Sequence, residues 1–463
     1  MKNHLLRLIS VLLVLTVGLS ACAAPPPEPD PQPADEPAQP APPTAEPDVP
    51  EPTGEMPYPI QPGANAETGE VKSNVAYLKD PQIPEEDLAL FSEAQMKFAL
   101  VLFRQLQAGE KNLIFSPYSL YNALQMTNAG ARGETQAQLV KALHESIGPE
   151  QAHAYLNALN QKLSENLAAR DPMGTPFTLS VANALWGQFD YQFQQEFLDT
   201  LAKYYDAGMH TVDYRDPEQA SRLINAWVDE KTHSKIKQLV SPDVLDAATR
   251  LVLTNAVYFK AGWLYEFNED NTIDAPFYLI DGSSKSVPTM HIEEHYGYAK
   301  GAGYKAIELP YYGRGYSMVV IMPDKLQAYM DQLDAAQLND LLKSLSNQKV
   351  RLAMPKFKIE SSLGLVQPLQ EIGVTDLFDS DAADLSGMSG TRDLFVSGVL
   401  QKAFVEVNEK GTEAAAATAV IAKTTSLPVE EDPVELNLDH PFLFLIMERS
   451  TNTILFMGTV VNP

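Results

Sequence analysis

His291-Ile292-Glu293-Glu294-His295 sets two potential zinc ligands and a carboxylate at the HxxEH spacing of one class of metalloprotease. That chemistry needs both histidines on one helical face. The stretch instead follows a strand-like segment and runs into Gly297, Gly301 and Gly303, so it reads as a chance match on an exposed turn. Gly301-Ala302-Gly303 followed by Ala306 covers half of a dinucleotide fingerprint, but no βαβ unit follows it. There is no Gly-x-Ser-x-Gly elbow, phosphate-binding loop or acidic metal cluster, and the eight histidines are scattered without a paired nucleophile. No catalytic residue, metal or cofactor is therefore expected. A metalloprotease built on His291 and His295 is kept only as the enzyme-class alternative.

The one cysteine, Cys22, permits no internal disulfide and no paired-cysteine zinc site. Upstream lie Lys2, Arg7 and an apolar run from Leu12 to Leu19, too short to span a bilayer but ordered like a secretory signal. Leu19-Ser20-Ala21-Cys22 resembles a bacterial lipobox, in which the cysteine is acylated on sulfur and becomes the first mature residue. On that reading residues 1–22 are a lipoprotein signal peptide. The product is then exported and lipid-anchored to the cell envelope or surface, or released to the extracellular space.

The chain has 463 residues, with 60 acidic against 34 basic side chains and a formal charge of −26. Such a balance repels phosphate backbones and argues against a nucleic-acid partner. From Ala23 to Pro62 there are sixteen prolines and eight acids without a Lys or Arg. A segment of this kind cannot propagate a helix or bury enough surface to offset chain entropy. Residues 23–84 are assigned to an extended, self-repelling tether, and residues 85–463 to one folded domain.

Within the domain, Leu88, Phe91, Phe98, Leu102 and Leu106 predict an amphipathic helix over residues 87–107. A second is expected over 218–239, with Leu223, Trp227 and Ile236 on one side. Strand patterns run over 179–186, 251–260, 316–322, 350–359, 404–408, 442–447 and 454–461. Helices come early and strands dominate late, which predicts one α+β domain.

The least ordinary stretch is Glu409-Lys410-Gly411-Thr412-Glu413-Ala414-Ala415-Ala416-Ala417-Thr418-Ala419-Val420-Ile421-Ala422-Lys423. An Ala-rich helix capped by Thr412 is one local reading, but at this length it is marginal in water and has no large apolar face to dock. With strand parity, positions 412, 414, 416, 418, 420 and 422 are Thr, Ala, Ala, Thr, Val and Ala, while Glu413 and Lys423 fall on the other face. The segment can then slide between two strands, small residues toward a packed core and charges toward water. Gly411 supplies a backbone hinge.

That logic, together with a series of motifs in order, resembles the serpin family over residues 85–463. The motifs are Asn112 to Ser119 (NLIFSPYS), Gly130 to Thr135 (GARGET), Ala182 to Trp186 (ANALW), and Thr254 to Lys260 (TNAVYFK) with Trp263 beyond. They continue with Glu308 to Tyr311, Pro355 to Phe357, Asp439 to Phe442, Phe456 to Gly458 and Val461 to Pro463. The resemblance implies a serpin fold of three β-sheets and eight or nine helices, with an exposed reactive-centre loop. It implies a suicide-substrate inhibitor of serine proteases, acting as a monomer, that traps the acyl-enzyme by inserting its cleaved loop into the large sheet. A non-inhibitory serpin serving as a binding or chaperone-like module is the alternative.

Residue roles follow from the same resemblance. Glu409, Gly411, Thr412, Glu413, Ala414, Ala415, Ala416, Ala417 and Thr418 match the loop hinge. Ser116, Ser119 and Asn255 match the shutter beneath the sheet, with Gln401 where the family commonly has His. Trp263 matches the breach. The usual spacing from Glu409 puts the reactive bond at Thr425-Ser426, which suits an elastase- or subtilisin-like protease. Lys423 would suit a trypsin-like enzyme and Leu427 a chymotrypsin-like one.

Overall fold

The computed structural model describes residues 69–106, 109, 111–167, 177–313, 315–412 and 432–463. Ten helices occur among them: α1 (Glu85–Leu106), α2 (Pro117–Asn128), α3 (Gly133–Ala142), α4 (Pro149–Leu167), α5 (Gln195–Tyr205), α6 (Pro217–Lys231), α7 (Leu326–Gln332), α8 (Ala335–Ser344), α9 (Val366–Glu371) and α10 (Ser386–Ser389). The count passes eight or nine through one-turn segments such as α10. The apolar series of α1 is buried as its spacing requires, with Phe98 and Leu102 fully enclosed.

A seven-stranded sheet runs in the order β1 (Gly69–Val71), β4 (Met209–Val212), β3 (Thr178–Gln188), β5 (Leu251–Gly262), β13 (Gly411–Thr412), β12 (Val396–Asn408) and β11 (Phe357–Gly364). A nine-stranded sheet runs β14 (Val434–Asn437), β10 (Ser346–Pro355), β7 (Ser284–Gly301), β8 (Tyr304–Pro310), β9 (Tyr316–Pro323), β15 (Phe442–Glu448), β16 (Thr453–Val460) and β2 (Leu113–Phe115), with β6 (Ile273–Tyr278) paired to β7. The three expected sheets thus appear as two continuous ladders. Within the nine-stranded ladder the long β7 is shared among three partners, pairing with β6 over residues 284–289, with β10 over 289–298 and with β8 over 297–301. Helix α2 packs against strands of both sheets, β3 and β5 on one side and β16 on the other.

Four expectations are corrected. Residues 69–84 belong to the folded part rather than to the tether. Gly69–Val71 pairs antiparallel with β4, Lys72 Nζ lies 2.7 Å from Asp206, and the Leu78 amide donates to the Lys203 carbonyl at 2.8 Å. The polar composition hid this because the strand is short and its partners lie about 140 positions away. Helix α6 stops at Lys231, not near 239, because His233 and Ser234 take positive φ of 52° and 61°. Residues 350–359 are two strands in different sheets. Val350, Leu352 and Met354 are fully buried on even positions, whereas from Phe357 the buried side chains fall on odd ones, Phe357 and Ile359, a step that breaks the period of two. The His291–His295 stretch lies within strand β7, not on a turn.

Candidate functional site

The site is built on the seam where β5 and β12 meet. These strands are parallel and directly paired, Val399 opposite Leu253, Gln401 opposite Asn255 and Phe404 opposite Tyr258. On the other side of β5, Asn183 of β3 stands opposite Asn255. Three amide side chains therefore form one rank across three adjacent strands. Alternation directs this rank toward the start of α2, where Pro117 at the first turn and Ser116 as cap begin the helix.

The rank is bonded throughout. Gln401 Nε2 donates to Asn255 Oδ1 at 2.6 Å and to the Ser116 carbonyl at 2.9 Å, while Gln401 Oε1 accepts from the Ser116 amide at 2.8 Å. Asn255 Nδ2 donates to Ser119 Oγ at 2.6 Å and to Asn183 Oδ1 at 2.5 Å. Ser119 Oγ donates to Asn183 Oδ1 at 2.6 Å, and Ser116 Oγ to the Leu455 carbonyl at 2.6 Å. Ser116, Ser119, Asn255 and Gln401 are fully buried. In such a place each bond matters mainly because an unpaired partner would be costly. The predicted Ser116, Ser119, Asn255 and Gln401 are thus brought together, with Gln401 bridging strand to helix through both ends of its amide. Asn183 was missed. The signal was available as an amide side chain between two alanines in the Ala182 to Trp186 motif.

At its upper end the seam is parted. Gly411 and Thr412 lie between the two strands, antiparallel to both: Gly411 opposite Gly262 and Asn408, Thr412 opposite Ala261 and Val407. Thr412 is a strand residue, not a helix cap. Gly411 has φ +150°, and a Cβ there would fall 2.1 Å from the Ala261 carbonyl oxygen, so only glycine fits. Thr412 is fully buried, its hydroxyl 2.7 Å from that of Tyr311. Burial raises the Tyr311 pKa, so its phenol stays protonated.

Trp263 stacks on Tyr311 with ring centroids 4.7 Å apart and planes 8° from parallel. Its indole N–H donates to the Asn408 carbonyl at 2.9 Å, and its backbone amide to the Lys410 carbonyl at 2.9 Å. Glu409, with an 8% exposed side chain, lies 2.9 Å from Lys356 Nζ and accepts from the Thr272 hydroxyl at 2.7 Å. Desolvation pushes its pKa up, but the bonds from Lys356 and Thr272 outweigh this and hold the carboxyl below its usual range. Tyr311 and Lys356 occur in the motifs noted in the sequence, yet their contacts depend on residues more than fifty positions away.

Glu413, Ala414, Ala415, Ala416, Ala417, Thr418, Lys423, Thr425, Ser426, Leu427 and Cys22 lie outside the described residues. His291 and His295, four positions apart on an extended strand, stand about 13 Å from each other, too far to share one ion. Glu293 between them is engaged by Lys349 and Arg351 at 2.7 and 2.8 Å. Gly303 turns the chain from β7 into β8 with φ +79°, so the glycine pair opens no helix. Among the described residues of the seam, the hydroxyls bond to amides, carbonyls and one another rather than to a base. The seam's chemistry is a hydrogen-bonded closure with a two-residue wedge already at its top.

The family model described as Serpin (serine protease inhibitor) matches residues 93–463. The leukocyte elastase inhibitor of Bos taurus is 41% identical over 387 residues, covering 80% of this chain and 99% of that protein. An uncharacterized serpin-like protein of Thermococcus kodakarensis is 38% identical over 369 residues, covering 79% and 84%. Among solved structures, the thermophilic serpin tengpin in its native state aligns with a TM-score of 0.75 at 30% identity, over 85% of this chain and 98% of that one. Native protease nexin-1 with heparin aligns with a TM-score of 0.73 at 29% identity, over 81% and 100%.

The depressed Glu409 carboxyl ties the seam's upper end to pH. A folded-state pKa below the unfolded one adds stability above the ordinary carboxylate range, and this is lost as pH falls through the folded value. Glu409→Gln is expected to lower stability by about 1–2 kcal/mol at pH 7 and to flatten the acid limb of the stability curve. Thermal unfolding between pH 3 and 8 checks this, and an unchanged acid limb would deny Glu409 the role.

Proposed function

The chain belongs to the serpin family, and on that premise we propose that it is a suicide-substrate inhibitor of a serine protease, anchored to a cell surface through lipid on Cys22. The observation that carries the reading is the seated pair Gly411–Thr412, antiparallel to both β5 and β12. The residues that follow on the same parity are small, and a strand continuing from Thr412 can enter the seam without meeting a bulky or charged buried position. Insertion replaces one parallel ladder by two antiparallel ones, which are somewhat more stable per residue.

In this mechanism the protease serine attacks the Thr425 carbonyl carbon, the bond to the Ser426 nitrogen breaks, and the protonated amine becomes the new N-terminus of a C-terminal fragment whose β14, β15 and β16 are paired in the nine-stranded sheet. The freed strand then inserts and carries the acylated protease with it, so that deacylation fails. The inhibitor supplies stored free energy and no catalytic group. Leukocyte elastase inhibitors among the relatives support an elastase-like target, as does a small β-branched residue at Thr425.

The register adds a detail. Continuing from Gly411 opposite Gly262 and Asn408, the inserted Thr418 comes level with Asn255 on β5 and Gln401 on β12. Insertion separates those two amides and breaks the bond between them. The Thr418 hydroxyl, on the same face, would arrive at the gap and can bond to both.

With elastase- and subtilisin-like proteases the protein is expected to form an SDS-resistant complex and, on denaturation, to yield a peptide beginning at Ser426. Thr412→Arg should be cleaved without trapping, and clean cleavage of the unaltered protein with none trapped would reject the proposal in favour of a non-inhibitory role. Thr418→Val should leave native melting unchanged but lower the stability of the cleaved form by about 1–3 kcal/mol. Equal melting of the two cleaved proteins would remove Thr418 from the mechanism. For the anchor, Cys22→Ser should abolish incorporation of labelled palmitate and move the protein into the soluble fraction, whereas palmitate-independent membrane association would exclude it.

A further inference from the structure

The C-terminal end of α1, strand β2, helix α7 and the turn between β6 and β7 enclose a cavity of about 560 Å³ that the seam does not use. Its size falls within the range of roughly 300–1,000 Å³ typical of small-molecule sites. The floor is apolar: Phe103, Leu113, Leu326 and Met330 line it and are buried. At the mouth Ile280 is 50% exposed. Its exposure is fixed by the turn that carries it. The Leu279 amide donates to the Ser283 carbonyl at 2.7 Å, the Gly282 amide donates to the Leu279 carbonyl at 3.0 Å, and the Asp281 carboxylate accepts from both the amide and the hydroxyl of Ser283. A locked turn thus holds a branched apolar side chain in water at the lip of an apolar hole.

The rim charges are unequal in their commitments. His440 is engaged by Asp439 at 2.8 Å and stacks on Tyr278 with centroids 4.9 Å apart. The Asp324 carboxyl leans toward the turn at Gly303, whose carbonyl accepts from the Asp324 amide at 2.8 Å. Lys325 lines the cavity, is exposed, and has no ion pair among the described residues. An apolar interior with the exposed Lys325 ammonium at its edge complements a hydrocarbon ending in a negative charge.

We propose that this cavity binds a straight-chain carboxylate, its tail among Phe103, Leu113, Leu326 and Met330 and its head against Lys325. Each methylene taken from water should raise affinity about fourfold (about 0.8 kcal/mol) until the cavity is filled. Calorimetric titration of the full chain with octanoate, decanoate and dodecanoate, each below its micelle concentration, tests the idea. One site per chain is expected, with affinity climbing along the series. Lys325→Glu and Ile280→Asp change exposed positions, so the fold should melt unchanged while dodecanoate binding weakens about tenfold or more in each. Absence of saturable binding, affinity independent of tail length, or full affinity in either variant would overturn the proposal. Protease trapping is not involved in any of these readouts, so failure here leaves the inhibitory reading untouched.

Discussion

The parallel contact between β5 and β12 constrains the rest of the molecule. Parallel strands pair less firmly than antiparallel ones, and this seam already parts at its top around two residues of the following segment. What keeps the lower part closed is the contact across it, Gln401 to Asn255 and to both backbone groups of Ser116. Because these groups are fully buried, none of them can exchange a lost bond for water. Opening the seam there would leave buried polar groups without partners.

The upper end is parted instead. Trp263, Tyr311 and Glu409 hold the turn of chain from β12 into Gly411 by stacking, a buried hydroxyl pair and a carboxylate bonded to Lys356 and Thr272. Gly411 passes so close to the Ala261 carbonyl that no side chain fits. Thr412 is the first residue beyond it whose side chain reaches the core. One end of the seam is thus propped by a seated pair while the other is bonded shut. The groups described at the seam act as packing and hydrogen-bonding elements.

Several parts of this were legible along the chain, and for local reasons. Strand parity has a period of two, so Thr412 could be placed on a core-facing side without knowing which strands it would meet. The apolar spacing of α1 marked its buried face. Illegible were the contacts closed over long separations. Asn183 joins Ser119 and Asn255, Tyr311 meets Thr412, and Lys356 meets Glu409, yet nothing near any of these residues announces its partner. The two backbone turns at His233 and Ser234 ended α6 early through local φ values that the apolar spacing of Trp227 and Ile236 did not encode.

By itself the sequence determined the buried face of α1 and that Thr412, after the glycine hinge, belongs to an extended segment with its side chain toward a core. Only the tertiary structure decided register: that Gly411 stands opposite Gly262 and Asn408, that Asn183, Asn255 and Gln401 form one rank, and that residues 69–71 close the outer edge of the sheet. Facing follows from the period of one strand. Register is set by how separate strands pack around a shared core, and that sum of distant contacts is not written at any single position.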